Sequence, residues 1–350
     1  MKKTAIAVSL FLMFLAMSCF STPVAVSSQV PLQTTQSLDA IYIRADSIVE
    51  GTDKIQRVSD VFTFTADIYD SIVVERGNIV VDGAGYTLHG KMDTYTEKGI
   101  EILRSNNVTM KNLNIEGFTR GVRLTNSSDC LIHQNILTNN SIGIEMGYVD
   151  GSYSNNNSVN GNTIRECEDG IRLICGTSNI IYGNTITASN ISGISVWGTA
   201  GNSIIGNNIT NNKRGIYFET SGVNTIHHNN FVNNVNDWWD YGLTPWPFQL
   251  PFSVNVWDDG KEGNYWGTYD GADNNGDGIG DVPHELYESN TDKYPLINPV
   301  TIPELPYEKE PTKPTEEPFP TTLVIAFVIA VTIVVLGLVY FKKSNRNKNR

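Results

Sequence analysis

The chain has 350 residues, of which 40% are hydrophobic and 18% charged, and a formal charge of −12. Seven of its 25 cations lie in the first 28 and last 30 residues, which hold no acids, so residues 29–320 carry 18 cations against 37 acids, a net of −19. A body this acidic excludes nucleic acid and polyanionic polymers as partners and accommodates calcium and neutral sugars.

The N-terminus reads as a secretory signal peptide over residues 1–28: Lys2 and Lys3, an apolar stretch over 5–17, then small residues around Ala25. Cys19 follows "LAMS", a poor lipidation signal. Residues 29–70 contain irregular strand patterns that predict a β cap over the open end of the repeats beginning at residue 71, since an uncovered sheet edge invites aggregation.

Residues 71–240 repeat a phrase, as in "GNTIRECEDGIRL", "GNTITASNISGISV" and "GNNITNNKRGIYF". Aligned on its isoleucine, the phrase gives the column Ile115, Ile136, Ile164, Ile186, Ile209 and Phe231, with steps of 21, 28, 22, 23 and 22 residues. A Gly-aliphatic pair follows in each unit, from Gly99-Ile100 to Gly215-Ile216. A fixed period of this size marks a solenoid. Apolar residues alternate within each unit, so the pieces are strands, and Gly and Asn between them suit turns that need positive φ. The predicted fold is all-β: a right-handed parallel β-helix of ~22-residue coils, its strands ~4.8 Å apart from coil to coil. Two positions before the aligned column stand Asn162, Asn184, Asn207 and Asn229, preceded by Leu113 and Gln134. Buried amides stacked at that spacing can hydrogen-bond from coil to coil, which predicts an asparagine ladder.

An outward column, Glu101, Arg123, Glu145, Arg172, Ser195 and Tyr217, alternates acid and cation before ending in an aromatic ring. It reads either as a solvated salt-bridge ladder, worth little per pair, or as the floor of a groove for sugar hydroxyls. In the second reading Tyr217 is a stacking platform with Trp197 or Trp238 nearby. A glycosidase would need two carboxylates ~5–10 Å apart. Glu101 and Glu145 stand two coils apart, but Arg123 between them would hold both ionised, so catalytic residues stay unassigned.

Residues 241–299 form a Trp/Asp-rich capping segment. Within it Asp273, Asn275, Asp277 and Asp281 form D-x-N-x-D-G-I-G-D, alternating oxygen ligands around a glycine turn, with the Ile279 carbonyl as a further ligand. His284 stands where an EF-hand carries its bidentate acid, so a shorter structural calcium loop is expected, ordering the cap together with Trp257, Tyr265 and Trp266. Residues 300–320 are a Pro/Glu-rich spacer. Residues 321–341 include an uncharged apolar run of the length that spans a bilayer, and the cationic tail 342–350 marks the cytoplasmic side. The three cysteines past the leader, Cys130, Cys167 and Cys175, are an odd count and read as buried thiols.

These coils, followed by "NVWDDGKEGNYWGTYDGADNNGDGIGDVPHELYESNTDKYPLINP" (residues 255–299), resemble the NosD-type β-helix family. The resemblance implies a β-helix of a carbohydrate-binding and sugar-hydrolase superfamily that includes membrane-anchored surface proteins, while NosD itself is associated with copper delivery to a periplasmic reductase. Copper favours clustered His, Met or Cys. His133 and His228 align in one column but four coils apart, so no copper site is evident. The expected protein is a single-pass, membrane-anchored binding or adhesion module for glycans or a cell-envelope polymer, with its ectodomain extracellular or periplasmic. The alternatives are a polysaccharide lyase or hydrolase, and a copper-associated periplasmic accessory.

Overall fold

The structure is a computed structural model describing residues 40–92, 97–147, 151–243, 253–287 and 289–302. The expected signal peptide, membrane span and basic tail, and all but the start of the spacer, lie outside these residues. Among the described residues no helix is long and apolar enough to cross a membrane.

The repeat builds a parallel β-helix of three sheets. Each full coil contributes one strand to each sheet, as in Asp169–Ile174 (sheet A), Ile180–Tyr182 (sheet B) and Thr185–Thr187 (sheet C). Sheet A has ten strands, sheet B nine and sheet C eight. Within them, antiparallel pairing is confined to two N-terminal hairpins, Ala40–Ile43 with Val49–Glu50 and Ile55–Val58 with Val61–Phe64. Branched side chains fill the bore: Ile100, Val122, Ile144, Ile171, Ile194 and Ile216 stack in register on sheet A, and all are fully buried.

One coil departs from the sequence alignment. Ile115 pairs with Leu137, which pairs with Ile164, whereas Ile136 is 43% exposed. Aligning on isoleucine displaced this coil by one residue; the bore accepts leucine equally. Ile132 therefore lies in the sheet B bore column, and Asn135 rather than Gln134 lies in the ladder.

The glycines divide into two kinds. Gly161, Gly183 and Gly206, each just before a ladder asparagine, have φ of 60 to 64° and turn the chain in the left-handed region. The Gly-aliphatic column does not: a Cβ on Gly99, Gly121, Gly143, Gly170 or Gly193 would stand 2.5 to 2.8 Å from the carbonyl oxygen of the next glycine in the column. These glycines permit close coil-to-coil approach and are not the turns that the sequence suggested.

The asparagine ladder is continuous. Asn135 Nδ2 donates to Asn162 Oδ1, Asn162 Nδ2 to Asn184, Asn184 Nδ2 to Asn207, Asn207 Nδ2 to Asn229 and Asn229 Nδ2 to Asn264, at 2.9–3.0 Å. Each Oδ1 also accepts the backbone N–H of the preceding asparagine, for instance Asn184 N to Asn207 Oδ1 at 2.9 Å. A second ladder, which the sequence did not suggest, runs through Asn157, Asn179, Asn202, Asn224 and Asn255. Both end in the hairpin of His284–Tyr287 and Asn290–Asp292. Asn290 Oδ1 accepts from Asn255 N and from Trp257 Nε1, and Asp292 Oδ2 accepts from Asn264 N and Trp266 Nε1. Trp257 and Trp266 are 1% exposed and close the bore, Trp266 stacked on Phe231.

Candidate functional site

The sheet A outward column forms in register. Arg123 pairs with Glu101 and Glu145, Glu145 with Arg172, Arg172 with Ser195, and Ser195 with Tyr217. Its environment differs from a solvated face: Glu101, Arg123 and Tyr217 are 8–9% exposed and Glu145 is fully buried. Long side chains lie along the sheet over shorter ones. Arg120 reaches Glu145 from the next strand at 2.7 Å, Arg123 stands 3.4 Å and Arg172 3.8 Å from the same carboxylate. Arg172 also binds the buried Asp169, whose Oδ1 accepts from Ser195 Oγ at 3.0 Å. Lys98 contacts Glu101 at 2.5 Å, and Thr125 Oγ1 donates to Glu101 Oε1 at 2.8 Å.

Towards the C-terminal coils the strip becomes aromatic. Arg172 lies 4.8 Å over Trp197, Trp197 meets Tyr217 edge-on at 6.4 Å, and Arg214 stacks on both Tyr217 and Trp239. Burial, then the neighbouring Glu219, raises the Tyr217 phenol, so it stays a neutral donor to Glu219 at 3.1 Å. Trp239 occupies the outward register beside Tyr217, whereas Trp238 pairs with the bore residue Ile216. Buried polar atoms on this strip without a hydrogen bond among the described residues include Glu145 Oε1, Ser192 Oγ and Trp197 Nε1.

The acidic loop at 273–281 is exposed and folded on itself. Asp273 accepts from the N–H groups of Gly276, Asp277 and Gly278, Asp277 Oδ1 from Ile279 N, and Asp281 Oδ2 from Asn274 N and Nδ2. Asn275 Oδ1 accepts from Asp277 N. Ile297 N bonds Gly278 O and Gly280 N bonds Pro295 O, which clip the loop to the segment beyond the terminal hairpin.

Among the thiols, Cys130 and Cys167 are buried, and burial pushes them up to about 11 and about 12; Cys175 is only half-buried, contrary to expectation. The histidines also differ from the expected alignment. The column of His133 leads through Asn160, Tyr182 and Ile205 to His227, not His228. His227, His228 and Asp259 place their ligand atoms within 4.8 Å of one another.

The sequence matches the family described as periplasmic copper-binding protein (NosD) over residues 57–271, more than half of the chain. The chain belongs to the NosD family. No curated protein sequence matches it. Among solved structures it is similar to the periplasmic alginate epimerase AlgG (18% identity, TM-score 0.43, covering 56% of this chain and 47% of that one). It is also similar to an alginate lyase from Paenibacillus sp. str. FPU-7 (11%, TM-score 0.34, 62% and 97%) and to a Yersinia enterocolitica family 28 exopolygalacturonase (14%, TM-score 0.32, 56% and 45%). The chain thus spans about half the length of AlgG and of the exopolygalacturonase. None of these likenesses reaches the level at which a site residue transfers.

The copper in the NosD family description finds a fitting donor set here in His227, His228 and Asp259, imidazole and carboxylate being ligands of that metal. Cys130, Cys167, Met110 and Met146 are buried core residues and offer it nothing.

Proposed function

We propose that this NosD-family chain is an envelope-facing β-helix that binds a glycan along sheet A. The observation that supports this reading most is the set of buried polar atoms without a hydrogen bond, Glu145 Oε1 (3.8 Å from Arg172), Ser192 Oγ and Trp197 Nε1, beside an aromatic platform of Trp197, Tyr217 and Trp239. Leaving such groups without partners costs about 1–3 kcal/mol each. A hydroxyl both donates and accepts, so a sugar can serve a carboxylate oxygen and an indole N–H in turn, while its apolar face stacks on the rings. The charges of the strip are mutually compensated: Lys98, Arg120, Arg123 and Arg172 are paired with Glu101, Glu145 and Asp169. That favours a neutral polymer over a polyanion. It also opposes a hydrolase, because Glu101, Glu145 and Asp169 are each engaged by a cation of the strip rather than facing an open position.

A glycan array probed with the chain, with reducing-sugar release measured on every hit, tests the reading. Binding to neutral glycans that Trp197→Ala and Tyr217→Ala weaken, without sugar release, is the expected result. Binding unchanged in both variants refutes the strip as the site; sugar release restores the enzyme reading.

A further inference from the structure

The His227–His228 pair lies away from sheet A, where the last regular coil meets the cap. Adjacent residues on a strand point to opposite faces. Here His227 ends the sheet B strand Thr225–His227, and His228 turns at φ 56°, in the position where the three preceding coils use Gly161, Gly183 and Gly206. That left-handed residue brings both imidazoles to one side, Nδ1 to Nδ1 at 2.6 Å with the rings at 74°. The third group comes from the cap. Asp259 is exposed, and its Oδ1 accepts the N–H groups of Lys261 and Glu262 at 2.8 Å, which fixes the carboxylate in place.

We propose that His227 Nδ1, His228 Nδ1 and Asp259 form a divalent transition-metal site joining the final coil to the cap. Glu262 acts as the orienting partner: its carboxylate stands 2.8 Å from His228 Nε2 and, with the N–H there, accepts its hydrogen bond, which turns the Nδ1 lone pair towards His227, where a metal would replace the inter-ring hydrogen bond. Carboxylate support behind a histidine ligand is a recurring feature of metal centres. The donor set is nitrogen-rich, which selects against calcium and magnesium and for zinc, nickel and copper(II). Of these, copper(II) heads the order of affinity. Three protein donors at a partly exposed position leave coordination open to solvent, the arrangement of an exchangeable rather than a closed structural metal. The surrounding Asp258, Asp259 and Glu262 add negative charge that draws a cation in.

The test titrates the purified full chain with copper(II) and with zinc(II), following binding by calorimetry and the copper spectrum by electron paramagnetic resonance. One equivalent of copper(II) with hyperfine coupling to two nitrogens is expected, together with a metal-dependent rise in melting temperature. The double variant His227→Ala/His228→Ala should abolish the two-nitrogen signal, and Glu262→Gln should weaken binding about 10- to 100-fold. Asp259→Asn, at an exposed position, tests the third ligand without threatening the fold, and His133→Ala should leave binding unchanged. Copper binding that survives the double variant, or a wild type that binds neither metal, overturns the proposal and leaves the pair as a hydrogen bond between neutral rings.

Discussion

Truncating one rung of the first ladder, by Asn207→Ala, measures what the stacked amides contribute. Asn207 is fully buried, and its Oδ1 accepts both Asn184 N and Asn184 Nδ2, at 2.9 and 3.0 Å. Its Nδ2 donates to Ile181 O, Ile205 O and Asn229 Oδ1, at 2.9, 3.1 and 2.9 Å. The neighbours do not suffer equally. Asn184 Nδ2 keeps Val159 O and Tyr182 O, and Asn229 Oδ1 keeps the Asn207 backbone N–H. The Asn184 backbone N–H has no other partner among the described residues, and a buried orphan of this kind costs about 1–3 kcal/mol. Loss of the remaining bonds, at about 0.5–1.5 kcal/mol each before compensation, brings the expected destabilisation to about 3 kcal/mol. Asn207→Asp should be worse than Ala, because the oxygen replacing Nδ2 would face two carbonyls and Asn229 Oδ1. Equilibrium urea unfolding gives the energies, and amide hydrogen exchange at Asn184 reports the orphan directly. An alanine variant within ~0.5 kcal/mol of wild type, or an aspartate variant as stable as alanine, refutes the reasoning.

Gly170→Ala places a Cβ 2.5 Å from Gly193 O and should cost at least about 1–3 kcal/mol, while Gly161→Ala, with open space at its Cβ, carries only a left-handed backbone cost of about 1–2 kcal/mol; urea midpoints at equal slope separate the two, and equal costs would contradict the packing role. Burial raises the Asp292 carboxyl above the usual range, so the native state holds that proton more tightly than the unfolded chain. The stability this group contributes is therefore greatest on the acid side and is lost as pH rises from about 4 through its raised value, so the advantage of wild type over Asp292→Asn should narrow across that window; a constant or widening gap in a pH series of unfolding curves is the contrary result. Chelation should lower the melting temperature of the wild type and leave Asp277→Ala unaffected if the 273–281 loop holds calcium, and identical curves with and without chelator would remove calcium from the cap.

The bore, the coil period and the sheet A register were legible in the sequence because they follow from periodicity alone. The displaced coil was not, because the identity of Ile136 outweighed its place in the period. The ladder gave the better signal: Asn135 stands two before the buried Leu137, as Asn162 stands two before Ile164. The second ladder was missed because its residues come after left-handed turns at Asn156, Ser178, Gly201 and Val223, which share no residue type. Burial of the Glu–Arg column depends on where Arg120 and Trp197 lay their side chains, which register does not reveal. That burial also revises what Arg172 does: it binds the buried Asp169 and lies near Glu145, so its truncation disturbs more than an exposed pair. The His pair escaped notice because converging neighbours require the left-handed turn at His228.

The amide ladders have a direction. Every rung accepts from the coil before it and donates to the coil after it, so the growing end of the stack always presents unsatisfied donors. Their final acceptors, Asn290 and Asp292, are among the last parts of the domain to be synthesised. Asn290 and Asp292 therefore terminate both ladders, which close only when the last strand pair of the repeat domain has been added.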